Sequence, residues 1–348
     1  MRILKTLGAI SAQLLFSQML FAQAGPQGPD ESLLRSYLTR HKANAASFSF
    51  AAIGDQQYGA AGIAKWPALQ GSINAEASTV KFVVHTGDIK SGSTVCDDAM
   101  FQNRRQSFDA FEMPMILTPG DNEWTDCHRA NNGSFDSLER LAYLRNIFYP
   151  NNLSMGKRTI QLTQQSEDRR YAKYVENSMW SEGNVLFATL HVIGSNNNRG
   201  RNEVNDAEYR ERTHANFNWL KTVFSVARDG QFGGVVIVMQ ANPGFNGSRV
   251  RLTGLEEGFQ DTFFVLEDEV ITLNKPVLLI HGDSHEFHFD KPLLGLKSGL
   301  PLDNLTRLEV PGAGDVHWIK VTVNPARKSL FSIEYVDVAE NFFAQQKP

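Results

Sequence analysis

The chain has 348 residues, 42% of them hydrophobic, with 34 Lys plus Arg against 38 Asp plus Glu and a formal charge of -4. That length can bury a substantial core as one large domain or as two. With no basic excess to neutralise a phosphate backbone, a nucleic-acid sheath is disfavoured and no nucleic-acid partner is expected.

The first 24 residues read as an export signal: Arg2 and Lys5 precede the apolar stretch Ile10 to Phe21, and Ala22-Gln23-Ala24 fits the small-x-small cleavage pattern. Ser11, Gln13, Ser17 and Gln18 interrupt that stretch, which argues against a membrane anchor, and no other stretch reaches spanning length. The expectation is a secreted or periplasmic protein beginning near Gly25, its charge moved from -4 to -6 by loss of Arg2 and Lys5. Residues 25–46 are expected to form a helical extension, 47–340 the main domain and 341–348 a tail. The helix of the extension is placed over Asp30 to Lys42, with Leu33, Leu34, Tyr37 and Leu38 at helical spacing.

Strands are predicted at Phe48 to Ile53, Lys81 to His85, Pro114 to Leu117, Val185 to Ile193, Val235 to Met239 and Val277 to Ile280. Helical stretches alternate with them at Trp66 to Ala77, Ala99 to Phe111, Asp136 to Phe148, Asp206 to Ala227 and Thr262 to Asn274, so the sheet is expected to be parallel in part. Asn151 to Met179 reads as an irregular surface excursion. Thr306 to Val310, His317 to Val323 and Leu330 to Val336, separated by turns, read as an antiparallel tail.

The stretch Thr118 to Arg129 places Asp121, Asn122, Glu123, Asp126 and His128 directly after an apolar run, a concentration of ligand-type side chains at a strand end. Four more apolar runs end in polar residues: Asp55-Gln56-Gln57, Asp88, Gln240, and Asp283 with His285. Carboxyl ends of strands are where open α/β sheets bind ligands, and five in series indicate one shared site. Cys96 and Cys127 each follow one of these strand-end aspartates. In an oxidising compartment they are expected to close a disulfide that ties two site loops together.

In order and spacing these blocks resemble the calcineurin-like metallophosphoesterases, whose blocks run Asp-x-His, Gly-Asp, Gly-Asn-His-Asp/Glu, a single His, and Gly-His-x-His. The corresponding stretches are Asp55-Gln56-Gln57, Gly87-Asp88, Gly120-Asp121-Asn122-Glu123, Gln240, and Gly282-Asp283-Ser284-His285, with Trp219-Leu220 on the helix before the fourth block. The resemblance implies a four-layer αββα sandwich with mixed sheets and an exported phosphatase or phosphodiesterase acting on a small phosphorylated substrate. It also implies two divalent metals, one on Asp55, Gln57, Asp88 and His285 and the other on Asp88, Asp121, Gln240 and Asp283.

The departures matter as much. Gln57 and Gln240 stand where histidine is usual, Asp283 replaces another histidine, and Asp121 replaces asparagine. The resulting set of four carboxylates, two amides and one imidazole suits Mg, Mn or Ca better than Zn or Fe. The competing reading is a catalytically inactive binding protein on the same scaffold.

Asn122 stands where the family keeps a histidine near the leaving group, and an amide can donate a hydrogen bond but delivers no proton. His128, His191 and Glu123 are candidate donors, with His128 sharpest because of its place beside Cys127 and a surface histidine as its alternative. His191 reads as a core histidine, and His281 as either lining or supporting the site. Arg129, Lys90 and Arg199 are candidate phosphate clamps, against solvated loop charges. Asn196 to Asn198 reads either as a substrate contact or as a flexible turn. Asn-x-Ser/Thr sequons begin at Asn132, Asn152, Asn246 and Asn304.

Overall fold

A computed structural model describes residues 31–41, 46–245, 249–313 and 316–338. The export signal, residues 25–30 and 42–45 of the extension, the tail and the Asn246 sequon lie outside the described residues. The helix of the extension is present as α1 (Glu31–Arg40). No helix among the described residues is long and apolar enough to cross a membrane.

Strand β1 (Phe48–Ile53) is buried almost throughout because it is paired on both sides, parallel to β2 (Val80–His85) and antiparallel to β13 (His317–Val323). The sheet continues through β3 (Met115–Leu117) at one edge and β14 (Phe331–Asp337) at the other. The period of two along β1 divides its side chains between two cores. Ala51 and Ile53 pack on α2 (Gly59–Ala75), α3 (Asp98–Asp109) and α4 (Ser137–Phe148), through Trp66, Leu69, Phe101, Phe108 and Phe148. Phe50 and Ala52 face the opposite way, onto the second sheet. Asp97 and Asp136 cap α3 and α4, each accepting from a backbone N–H three residues on, at 2.8 and 2.9 Å.

The second sheet has seven strands, in the order β10 (His288–Asp290), β12 (Leu305–Glu309), β9 (Val277–His281), β7 (Gly234–Val238), β6 (Val185–Thr189), β5 (Ser178–Glu182) and β4 (Thr163–Gln164). Phe187, Val236, Val238, Leu278 and Ile280 meet the first sheet. Leu186, Val235, Ile237 and Leu279 meet α1, α5 (Glu203–Asp229) and α6 (Glu257–Leu273), through Tyr37, Trp219, Val223, Phe259 and Phe263. Strands β8 (Val250–Arg251) and β11 (Leu293–Leu294) form a separate short parallel pair, and the layers run helix, sheet, sheet, helix, with both large sheets mixed.

Two expectations are corrected. The C-terminal runs do not form one antiparallel unit: β12 lies parallel to β9 in the second sheet, whereas β13 pairs antiparallel with β1 and β14 in the first. Alternation identifies a strand but not its partner, and the inward side chains of β12 and β13 fill opposite sides of the same inter-sheet core. The stretch 151–179 is not wholly irregular. It carries β4 and the start of β5, an edge hairpin whose Trp180 stacks on Phe187 at 5.4 Å between ring centroids.

Candidate metal centre

The backbone is bent sharply where the strands deliver their polar residues. Asp55, Gln57, Asp88, Asp283 and His285 have φ of 52°, 61°, 55°, 82° and 64°. Left-handed backbone costs a residue with a Cβ roughly 1–2 kcal/mol, and such strain persists only where tertiary structure over-determines it. The loops also approach each other too closely for side chains at two glycines. A Cβ on Gly120 would lie 2.1 Å from Asp88 Oδ1, and one on Gly282 2.1 Å from Asp55 Oδ2.

Asp88, Asp121 and Asp283 each bring a carboxylate oxygen within 4.8 Å of the other two. Asp55 joins them: it accepts from Asp283 N at 3.2 and 3.1 Å, and His285 Nε2 stands 3.6 Å from its Oδ1. Asp88 is held by Asn122 N at 3.1 Å, Asn122 Nδ2 at 2.6 Å and Tyr58 Oη at 3.0 Å. Tyr58 Oη also lies 3.4 Å from Asp55 Oδ1 and accepts from Asn122 Nδ2 at 3.0 Å. Glu123 Oε1 accepts from Gly120 N at 2.6 Å and Asp88 N at 3.2 Å, bracing the loop after β2 against the loop after β3.

Among the described residues no lysine or arginine forms an ion pair with Asp55, Asp88, Asp121 or Asp283. Burial, and then the charge of Asp283, push the Asp55 carboxyl well above its ordinary range. Burial, and then Asp121, do the same to Asp88. Asp283 is pushed up to about 7 by burial and by Asp121. Glu123 also rises to about 7, chiefly through burial. Lys90 offsets part of this charge through Glu123, but among the described residues no cation pairs directly with the four aspartates, and burial leaves them raised or mutually repelling.

The remaining predicted residues divide. Gln57 is 3% exposed; its Nε2 donates to Ser107 Oγ at 3.2 Å, and its Oε1 is a buried acceptor with no hydrogen-bond partner. Gln240 brackets two loops, taking Gly194 N on Oε1 at 2.5 Å and donating from Nε2 to Asp121 Oδ1 at 3.4 Å. It therefore offers the carboxylate its NH2 and not its oxygen. His128 is exposed, with Nδ1 beside Thr125 O at 2.7 Å and Arg201 Nη1 at 2.5 Å, neither of them in the cluster.

Lys90 is fully buried, and its Nζ donates to Asn132 Oδ1 at 2.7 Å and Ser91 O at 3.1 Å. Arg129 pairs with Asp126 at 2.6 Å, and Arg199 pairs with Glu257. Arg129 stands beside the cluster's outer residues, since a Cβ on Gly92 would lie 2.9 Å from Asn122 Oδ1 and 3.3 Å from Arg129 Nη1, and Lys90 feels the charges of Glu123, Asp88, Asp126 and Asp121 from its buried position. Asn132, buried against Lys90, is closed to a glycan in the folded chain.

His191 is a buried core residue with Nδ1 on Glu176 Oε1 at 2.7 Å. His281 supports the site and does not line it: it is 0% exposed, donates from Nδ1 to Gly282 O at 2.9 Å, and burial pushes it down to about 3. Tyr58 and Ser195 were not singled out as site residues by sequence. Tyr58 directly follows the first block, whereas nothing around Ser195 in the sequence signals its bond to Asp121 Oδ2 at 2.6 Å.

Cys96 and Cys127 form a disulfide across 31 residues of chain, joining the loop after β2 to the loop after β3. The chain-entropy contribution of such a loop is about 3.5 kcal/mol. Urea denaturation of the doubly substituted Cys96→Ala, Cys127→Ala protein is expected to show that loss, and a loss below about 1 kcal/mol would mean that the loops are held in register without the bond.

No protein-family model and no curated protein matches the sequence. Among solved structures, a purple acid phosphatase from yellow lupin (Lupinus luteus) seeds is similar over 86% of this chain and 53% of that one, at 11% identity and a TM-score of 0.44. The chain thus spans about half the length of that phosphatase chain.

Proposed function

We propose that the chain is a metal-dependent phosphoester hydrolase that holds divalent ions on Asp55, Asp88, Asp121, Asp283 and His285 and acts on a small phosphorylated substrate. The observation that carries this reading is the convergence of Asp88, Asp121 and Asp283 to within 4.8 Å, on loops from both sheets. Two carboxylates about 4 Å apart repel by roughly 4 kcal/mol at an effective dielectric near 20, which a divalent cation between them removes. Gln57 Oε1, a buried acceptor with no hydrogen-bond partner, is a further oxygen in the first strand-end block that a cation would satisfy. The oxygen-rich donor set favours Mg, Mn or Ca over Zn or Fe.

Divalent ions bound there supply Lewis acidity toward a phosphoryl oxygen and charge stabilisation for the oxygens entering and leaving phosphorus. The chain's own residues orient and brace. Asn122 and Tyr58 fix the Asp88 carboxylate, Glu123 ties its loop to Gly120, and Gln240 fixes Asp121. Of the donors considered from sequence, His191 is committed to Glu176, His128 Nδ1 lies on Thr125 O and Arg201, and Glu123, with Oε1 on two backbone N–H groups, is 0% exposed and so has no surface from which its free Oε2 could reach a substrate. Asn122 has no acidic proton to give.

The substrates favoured are therefore those whose leaving group departs unprotonated. Positioned acid catalysis contributes about 10²–10⁴-fold where it operates. With manganese supplied, kcat/KM for p-nitrophenyl phosphate or inorganic pyrophosphate is expected to exceed that for a simple alkyl phosphate by about 100-fold or more. Equal turnover of aryl and alkyl phosphates would contradict the absence of a donor. The non-catalytic alternative draws on the same observation, because Asn122 Nδ2 is already engaged by Asp88 and Tyr58. Its signature is retention of cation and phosphate with no turnover of any of these compounds.

A further inference from the structure

Ser195, Asn196, Asn197 and Asn198 have φ of 52°, 51°, 56° and 65°. Side-chain-bearing residues visit the left-handed region singly, Asn more readily than most, so four in succession persist only where the surrounding structure over-determines them. The stretch is neither loose nor free. Fully buried Arg212 donates to Asn197 Oδ1 at 2.6 Å and Asn197 O at 3.0 Å, and pairs with Glu208 at 2.7 Å. Glu208 in turn accepts from Asn198 Nδ2 at 2.8 Å. Asn198 Oδ1 accepts from Thr125 Oγ1 at 2.8 Å and Asn205 Nδ2 at 2.9 Å, and Asn196 Oδ1 accepts from Gly258 N at 2.8 Å.

All of this restraint leads to the first residue of the turn. Ser195 is exposed, yet its Oγ donates to Asp121 Oδ2 at 2.6 Å and lies 3.4 Å from Asp126 Oδ1. Glycine would adopt φ near 52° without strain, so the backbone alone gives no reason for serine at this position. The hydroxyl on Asp121 does.

We propose that Ser195 is a positioning residue of the metal centre: the left-handed turn holds its hydroxyl on Asp121 Oδ2 and so fixes the direction in which that carboxylate presents its oxygens to a divalent ion. The inference rests on reading the carboxylate cluster as a cation site. Outer partners of metal ligands typically contribute 10–100-fold to affinity. Removing the hydroxyl therefore weakens binding, while removing the Cβ as well relieves the backbone.

The test is calorimetric titration of manganese into the metal-stripped wild type and the Ser195→Ala, Ser195→Gly and Gln231→Gly variants, with the metal-free Tm of each. Gln231 (φ 54°) is an exposed left-handed residue just past α5, which makes its glycine variant a control for strain relief alone. Both Ser195 variants are expected to bind manganese about tenfold more weakly. The metal-free Tm of Ser195→Gly should equal or exceed that of the wild type. Gln231→Gly should gain stability and keep wild-type affinity. Wild-type affinity in both Ser195 variants would overturn the proposal. So would a clear fall in the Tm of Ser195→Gly, because the hydroxyl would then be holding the fold and not the ligand. A wild type that takes up no divalent ion defeats the cation reading itself, an outcome distinct from unaltered affinity in the variants.

Discussion

Asp88→Asn is expected to abolish tight divalent binding and to lower phosphoesterase kcat/KM by about three orders of magnitude, on the order of 4 kcal/mol of transition-state stabilisation. Asp88 stands at the centre of the cluster: Asn122 holds both its oxygens, Tyr58 holds one, and Asp121 and Asp283 each bring a carboxylate oxygen within 4.8 Å of it. Asparagine keeps the size and, with its amide oxygen in the place of Oδ2, the acceptor for Asn122 Nδ2 and Tyr58, giving up the single bond from Asn122 N. What it removes is a charge. The same change should raise the metal-free stability above that of the wild type at pH 8, since one member of a mutually repelling buried set becomes neutral. Loss of activity with a gain in metal-free stability separates a ligand from a structural residue, for which both would fall. An Asp88→Asn protein with wild-type turnover would remove Asp88 from the mechanism.

The metal-free wild type should lose stability as the pH rises from about 5 to 8, and saturating manganese or magnesium should abolish that loss. The sign follows from the direction of the shifts. Burial and neighbouring carboxylates push Asp283 and Glu123 up to about 7 in the folded chain, and raise Asp55 and Asp88 well above the ordinary range as well. Unfolded carboxyls titrate near 4, so between these values the native state holds more protons than the unfolded state and stability declines with pH. One carboxyl moved from about 4 to about 7 corresponds to a loss on the order of 4 kcal/mol across that window. A bound cation replaces those protons, so its stabilising effect should grow with pH as well as with concentration. Thermal unfolding at pH 5, 6, 7 and 8, with and without the ion, measures this. A metal-free Tm that is flat or rises over this range would contradict the uncompensated cluster.

The parts of the site that were legible in the sequence are those in which a polar residue directly follows an apolar run. Asp55, Asp88, Asp121 and Asp283 were found in that way, and β1 and β13 have the limits of the apolar runs Phe48 to Ile53 and His317 to Val323. Side-chain direction was not legible. Gln57 and Gln240 occupy similar strand-end positions, yet one leaves a carbonyl oxygen unpartnered and the other turns its NH2 to Asp121, a difference set by Ser107 and by Gly194 N.

His128 follows a disulfide cysteine as expected, but the short helical turn at Thr125–His128 directs its ring to Arg201. Ser195 carries no signal in its own neighbourhood. Its role depends on Arg212 and Gly258, far along the chain, which fold the turn into the left-handed form. The partner of β12 was equally hidden, because strand pairing is decided by which core the inward side chains fill and not by their alternation.

The central claim is that the carboxylates gathered at the strand ends form a divalent-cation site. Elemental analysis of the purified protein, before and after dialysis against magnesium, manganese and calcium in turn, tests it most directly. The account predicts one to two equivalents of an oxygen-preferring divalent ion per chain in the wild type and a marked loss in Asp88→Asn. No retained divalent ion under any of these conditions would contradict it.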